Sequence, residues 1–135
     1  MKKIISIRLI IAAISVLGFS CKKGPGPGGK AAITGKIYCK NYSSVYPYTL
    51  SGEYYIPGET VYINYGDESG VGKTVKTSDN GTYVFDFLRT GKYKVYALSR
   101  DITGLVNSQT VPIIKEVEIS GKKDVVQMDD IVILK

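Results

Sequence analysis

From Ile33 to the C-terminus short stretches recur in which apolar residues, mostly β-branched and aromatic, occupy every second position. In "TYVFDFL", Tyr83, Phe85 and Phe87 fall on one side of an extended chain and Val84 and Asp86 on the other. In "KYKVYALS", Tyr93, Val95 and Ala97 oppose Lys94, Tyr96 and Leu98, so the second face of these strands is not wholly polar. The same alternation predicts strands over 33–40, 59–65, 73–77, 113–119 and 124–133, the last with a break allowed at 128–130. No helical spacing persists beyond about two turns. "SDNGT", "RTGK" and "SGKK" read as tight hairpin turns, with Asn80-Gly81 supplying the positive φ. About seven short strands at this spacing predict an all-β sandwich.

The stretch "GDESGVGKTVKT", residues 66–77, tests that reading, because "GVGKT" is close to a phosphate-binding loop. Such a loop needs Gly, four residues, then Gly-Lys-Ser/Thr, and counting back from Gly72 places Asp67 where the first Gly belongs. A helix must also begin at the Lys, whereas the pattern after Lys73 continues as strand, turn and strand. The segment is expected to be a mobile strand connection, and no nucleotide partner is expected.

The first twenty residues hold Lys2, Lys3 and Arg8, an apolar run from Leu9 to Leu17, and small residues before Cys21, the pattern of a secretory signal peptide. "LGFSC" resembles the lipobox of bacterial lipoproteins, which implies that Cys21 becomes the acylated first residue of the mature chain. Ordinary cleavage, leaving a soluble secreted protein, is the alternative. "KKGPGPGGK", residues 22–30, reads as a flexible spacer. The expected organisation is a signal peptide over 1–20, a lipidated Cys and tether over 21–32, and a sandwich over 33–135.

The net charge of +6 equals the contribution of Lys2, Lys3, Arg8, Lys22, Lys23 and Lys30, so the expected domain is neutral. A neutral, secreted domain is not expected to bind nucleic acid. Lys22 and Lys23 would lie beside lipid headgroups, where each adds about 1 kcal/mol of attraction to an anionic surface. With Cys21 acylated, Cys39 has no intramolecular disulfide partner; it is read as a small buried apolar residue of the first strand, with a reactive or intermolecular thiol as the alternative.

Taken together, "ITGKIY", "IPGETVYINY", "GKTVKTSDNGTYVFDFLRTGKYKVYAL", "VEISG" and "DIVIL" resemble a carboxypeptidase regulatory-like domain. That is a transthyretin-like (prealbumin-type) module related to collagen-adhesin B-type repeats. The matching positions are Gly35, Pro57, Gly58, Thr77, Gly81, Tyr83, Phe85, Gly91, Tyr93 and Val95. The resemblance implies a seven-stranded Greek-key β-sandwich with an accessory role rather than catalysis. Some related repeats carry a Lys-to-Asn or Lys-to-Asp crosslink, which would bring Lys36 to Asp129 or Asp130; alternation instead turns Lys36 away from Ile33, Ile37 and Cys39.

There is no His in the chain, which excludes Ser-His, Cys-His and the usual zinc arrangements. Glu53 with Glu59, or Asp129 with Asp130, are the carboxylate pairs to check. Asp67, Glu68, Asp79, Asp129 and Asp130 do not show calcium-loop spacing. No cofactor, metal or enzymatic activity is expected.

Five of the eleven tyrosines, Tyr42, Tyr46, Tyr48, Tyr54 and Tyr55, lie in the insertion "YSSVYPYTLSGEYYIPG". A rigid ring with a hydroxyl at its edge suits stacking on a sugar or filling a protein groove. Two readings stand: these residues form a ligand surface, or they cover an open end of the sandwich against the connection at 100–112. The expected function is a lipid-anchored, non-catalytic binding or structural module of the cell envelope, on the outer membrane facing the periplasm, with a protein or glycan ligand. The alternative is an accessory subunit of an envelope complex serving nutrient uptake or adhesion, and a small enzyme comes last.

Overall fold

The computed structural model describes residues 23–104 and 110–135. The expected signal peptide and Cys21 lie outside the described residues. Among those described there are nine strands and no helix, arranged in a five-stranded and a four-stranded sheet.

The first sheet is organised by β1 (Pro27–Tyr42), which spans about 50 Å at 3.3 Å per residue. It pairs antiparallel with β2 (Leu50–Tyr55) and β5 (Thr82–Leu88), and parallel with β8 (Val125–Gln127) and β9 (Ile131–Leu134). Ile37 marks the changeover between β5 and β2: its amide donates to Gly81 and its carbonyl accepts from Ile56. Thr34 and Lys40 offer their carbonyls to Met128 and Lys135 on the other side. The second sheet runs β4 (Lys73–Lys76), β3 (Thr60–Tyr65), β6 (Gly91–Arg100) and β7 (Thr110–Ile119), all antiparallel neighbours.

The odd-numbered residues of β1 meet the core, where Ile33, Ile37 and Cys39 have no exposed surface. They face Val61 and Ile63 of β3 and Val95 of β6 and lie beside Tyr83 and Phe85 of β5 and Ile131 and Ile133 of β9, all buried in one cluster. Truncating one such isoleucine to Ala is worth about 2–5 kcal/mol. A Cβ on Gly35 would stand 2.8 Å from Cζ of Tyr83, so glycine there makes room for the largest core ring.

Three expectations change. The tight turns at 78–82, 89–92 and 120–123 are not hairpins: each carries the chain from one sheet to the other, between β4 and β5, β5 and β6, and β7 and β8. Asn80 still shapes its corner, accepting from the amide of Thr82 at 3.1 Å and the hydroxyl of Ser78 at 2.8 Å. The hairpins are the longer connections, including 66–72, where Lys73 begins a strand and its ammonium pairs with Asp86 at 3.0 Å. Secondly, Phe87 does not join Tyr83 and Phe85 inside. Its φ of 57° makes a bulge in which Asp86 and Phe87 oppose Ala32, and Leu88 enters the core instead. That backbone costs a non-glycine residue on the order of 1–3 kcal/mol.

Thirdly, the strand expected from Ile33 begins at Pro27, and the glycine–proline segment before it is fastened down. The buried hydroxyl of Tyr93 accepts from the Gly26 amide at 2.9 Å and donates to the Arg89 carbonyl at 2.6 Å. The Arg89 amide donates to the Gly26 carbonyl at 2.9 Å, and its Nε donates to Gly24 at 2.8 Å. Leaving such buried backbone groups unpaired costs about 1–3 kcal/mol each. The strand count rises from seven to nine because β2 lies inside the tyrosine-rich insertion and the last stretch divides at residues 128–130 into β8 and β9.

Burial pushes the phenol of Tyr83 up, with the negative charge of Asp130 adding to it, and burial also raises Tyr93 against the opposing hydrogen bonds of Gly26 and Arg89. A group whose folded pKa is raised holds its proton more tightly in the native state, so its stabilisation is complete below the unfolded value, about 10, and is lost above it. The midpoint of urea unfolding should stay level from pH 7 to about 9 and fall above about 10. Tyr83→Phe, whose hydroxyl has only a 3.6 Å bond to the Met128 sulfur, should make that fall shallower; an unchanged slope would show that the phenol is not its source.

Candidate functional site

β1 ends at Tyr42, and the chain turns back to β2 through a compact loop at 43–49. Ser43 clasps it: its amide donates to Thr49 at 2.8 Å, its Oγ accepts from the Thr49 amide at 3.0 Å, and the same hydroxyl donates to Val45 at 3.0 Å. The clasp leaves Tyr46 82% exposed and Tyr48 42% exposed, with their rings edge-to-face at 6.1 Å. Arg100, the last residue of β6, docks the loop on the other sheet. Its guanidinium lies 5.5 Å from the Tyr48 ring centre and donates to the Ser43 carbonyl at 2.9 Å.

Beside this contact a cleft of about 440 Å³ opens on the outer face of the four-stranded sheet, lined by Glu59, Thr60, Tyr62, Leu98, Arg100, Thr110 and Lys135. Lys135 reaches Glu59 at 2.9 Å and 3.1 Å, and the Glu59 side chain is only 14% exposed, so the pair forms an ordered charged wall. From Tyr62 the outer face of the four-stranded sheet continues to Tyr96, stacked on it at 5.0 Å with the rings 11° apart. Tyr46, Tyr48, Arg100, the cleft and Tyr62 thus form one tract of aromatic and charged groups at the end of the molecule opposite Pro27. Such a tract suits a ligand that offers both a flat apolar face and many hydroxyls.

The five insertion tyrosines do not act as a unit. Tyr42 closes β1, its amide bonded to Lys135. Tyr54 lies opposite Cys39, while its neighbour Tyr55 points outward, edge-to-face with Tyr38 at 5.2 Å and under the ammonium of Lys36 at 4.7 Å. Tyr55 donates to Asp130 at 2.8 Å, which raises its phenol. Lys36 therefore lies outside the core, away from the buried environment a crosslink would need. Cys39 is fully buried and burial pushes its thiol up, so the small-apolar reading of Cys39 holds.

Three of the four paired acids are held by different partners. Glu53 binds Lys40 at 3.2 Å while Glu59 binds Lys135, and Asp130 is held by Tyr55. No group of three or more metal-ligating side chains converges among the described residues. The sequence marks Glu59 only as half of a carboxylate pair, and Arg100, Lys135, Tyr62 and Tyr96 not at all. The available signal was the aromatic residue at outward positions of β3 and β6.

No family model matches the sequence, and no curated protein matches it. Among solved structures the chain is similar to one from Pseudomonas aeruginosa described as "a putative carbohydrate binding protein", with 15% identity over 79% of this chain and 89% of that one and a TM-score of 0.45.

Tyr46→Ala should leave stability within about 0.5 kcal/mol of wild type, since the ring is almost free of the fold. Arg100→Ala should cost about 1–2 kcal/mol through the lost Ser43 bond and ring contact. Urea unfolding of the two variants checks this, and equal losses would contradict the assigned division of roles.

Proposed function

We propose that this protein is a non-catalytic binding module of the bacterial cell envelope, anchored through an acylated Cys21, whose loop at 43–49 and neighbouring cleft hold a polyhydroxylated ligand, a glycan. The observation that carries the reading is the exposed Tyr46–Tyr48 pair fixed by Arg100 beside a charged cleft. The rings would cover the apolar face of a sugar, and Glu59, Lys135, Arg100 and Thr60 would meet its hydroxyls.

A non-catalytic role is supported by where the acids are engaged. Glu53, Glu59, Asp86, Asp124 and Asp130 each hold a cation, an amide or a phenol. The resemblance of "LGFSC" to a lipobox supports the anchor, and the periplasmic face of the outer membrane is the location we propose. The binding tract then projects away from the membrane, because β1 runs from the N-terminal end of the sandwich to the loop.

Val45 and Leu50 favour a second reading, an accessory subunit with a protein partner, since both are exposed beside Tyr46. On a glycan array the wild type should bind at least one envelope polysaccharide, and Tyr46→Ala/Tyr48→Ala should bind it about tenfold more weakly with an unchanged melting temperature. Equal binding by the variant would remove the loop from the site; a stoichiometric protein recovered from solubilised envelopes, with no glycan bound, would favour the second reading. Mass spectrometry of the native protein should show a chain beginning at an acylated Cys21, and an unmodified Cys21 would sink the anchor.

A further inference from the structure

The opposite end of the sandwich has a different chemistry. Lys23, Lys30, Arg89, Lys122 and Lys123 line one cleft of about 780 Å³ there, and none of its lining residues is acidic. They come from three segments, the stretch from residue 23 into β1 and the β5–β6 and β7–β8 corners, so only the fold brings them together. The nearest acid in sequence, Asp124, accepts from the Gly121 amide at 2.8 Å and is turned into its own corner. Asp67 and Glu68 belong to the β3–β4 hairpin, and Asp67 borders a separate cleft with Lys92 and Glu118.

Exposed apolar residues accompany the cations. Phe87, two residues from Arg89, is 67% exposed on the β5 bulge, and Val125, paired with Ala32, is 69% exposed. The chain also enters the domain here: Gly24 and Gly26 are bonded to Arg89 and Tyr93. Only four residues separate Cys21 from Gly26, a reach of at most about 18 Å.

We infer that this end of the sandwich is a docking surface for anionic lipid headgroups, which holds the domain upright on the membrane instead of letting it swing on a free tether. The orientation rests on the anchor proposed above; the affinity for an anionic surface does not. Basic side chains on three segments would sit among phosphates, while Phe87 and Val125 reach the interfacial zone. The rest of residues 31–135, net negative once these cations are set aside, offers an anionic surface no comparable attraction.

The test uses the mature chain from residue 21 with Cys21→Ser, sedimented with phosphatidylglycerol or phosphatidylcholine vesicles. Binding should favour phosphatidylglycerol and vanish between about 0.02 and 0.5 M salt. Lys122→Glu/Lys123→Glu should bind about tenfold more weakly with an unchanged melting temperature. Lys76→Glu/Lys94→Glu, the same change of charge on the four-stranded sheet, should bind as wild type. Equal binding to both vesicles, or equal loss in the two variants, would overturn the inference. So would displacement by millimolar inorganic phosphate, which would mark a discrete anion pocket instead of a surface. An unmodified Cys21 in the native protein would undo the anchor and leave this vesicle result standing.

Discussion

Everything in this molecule leans on the double role of β1. One strand provides the inner residues that both sheets close upon and the backbone to which four other strands are bonded. A strand with partners along both edges cannot shift by one residue without moving Ile33, Ile37 and Cys39 to solvent and Lys36 and Tyr38 to the core. The register of β2, β5, β8 and β9 is fixed by that penalty. The strained bulge at Phe87 is tolerated for the same reason, because it lets Leu88 reach the core and keeps the glycine–proline segment in place.

Because β1 runs the full length of the sandwich, it also separates two kinds of surface. At its start are cations, exposed apolar residues and the entry of the chain; at its end are the tyrosine loop, Arg100 and the Glu59–Lys135 pair. From Ala31 onward the chain is neutral as a whole and uneven in detail. Net charge alone gave no hint of this, since attraction to a surface depends on where charges cluster within a Debye length of about 8 Å.

Tyrosine serves three physical purposes here. Tyr83 and Tyr93 fill the core, and the second of them turns its hydroxyl to backbone groups that would otherwise be unpaired. Tyr38, Tyr55, Tyr62 and Tyr96 form cross-strand ring pairs on the outer faces. Tyr46 has almost no support from the fold, which is why it is the most economical candidate for contact with something else. Its neighbour Tyr48 lies between the two conditions, half covered by Arg100.

Period-two alternation was enough to establish the fold class, the core face of most strands and the strand at Lys73, because side chains on an extended backbone must point alternately to either side. It also made Cys39 an interior residue. Alternation is local, however, and says nothing about partners. A tight Asn-Gly or Thr-Gly turn reverses the chain equally well within a sheet or between two, so the three corners looked like hairpins. A bulge that sends Phe87 outward leaves no mark in the pattern. The five insertion tyrosines, adjacent in sequence, were dispersed by the pairing of β2 with β1, and the cations of one end were gathered from three separate segments. The sequence by itself determined which way each strand faces; only the packing of one sheet on the other decided which side chains became neighbours, because that is set by contacts between residues far apart along the chain.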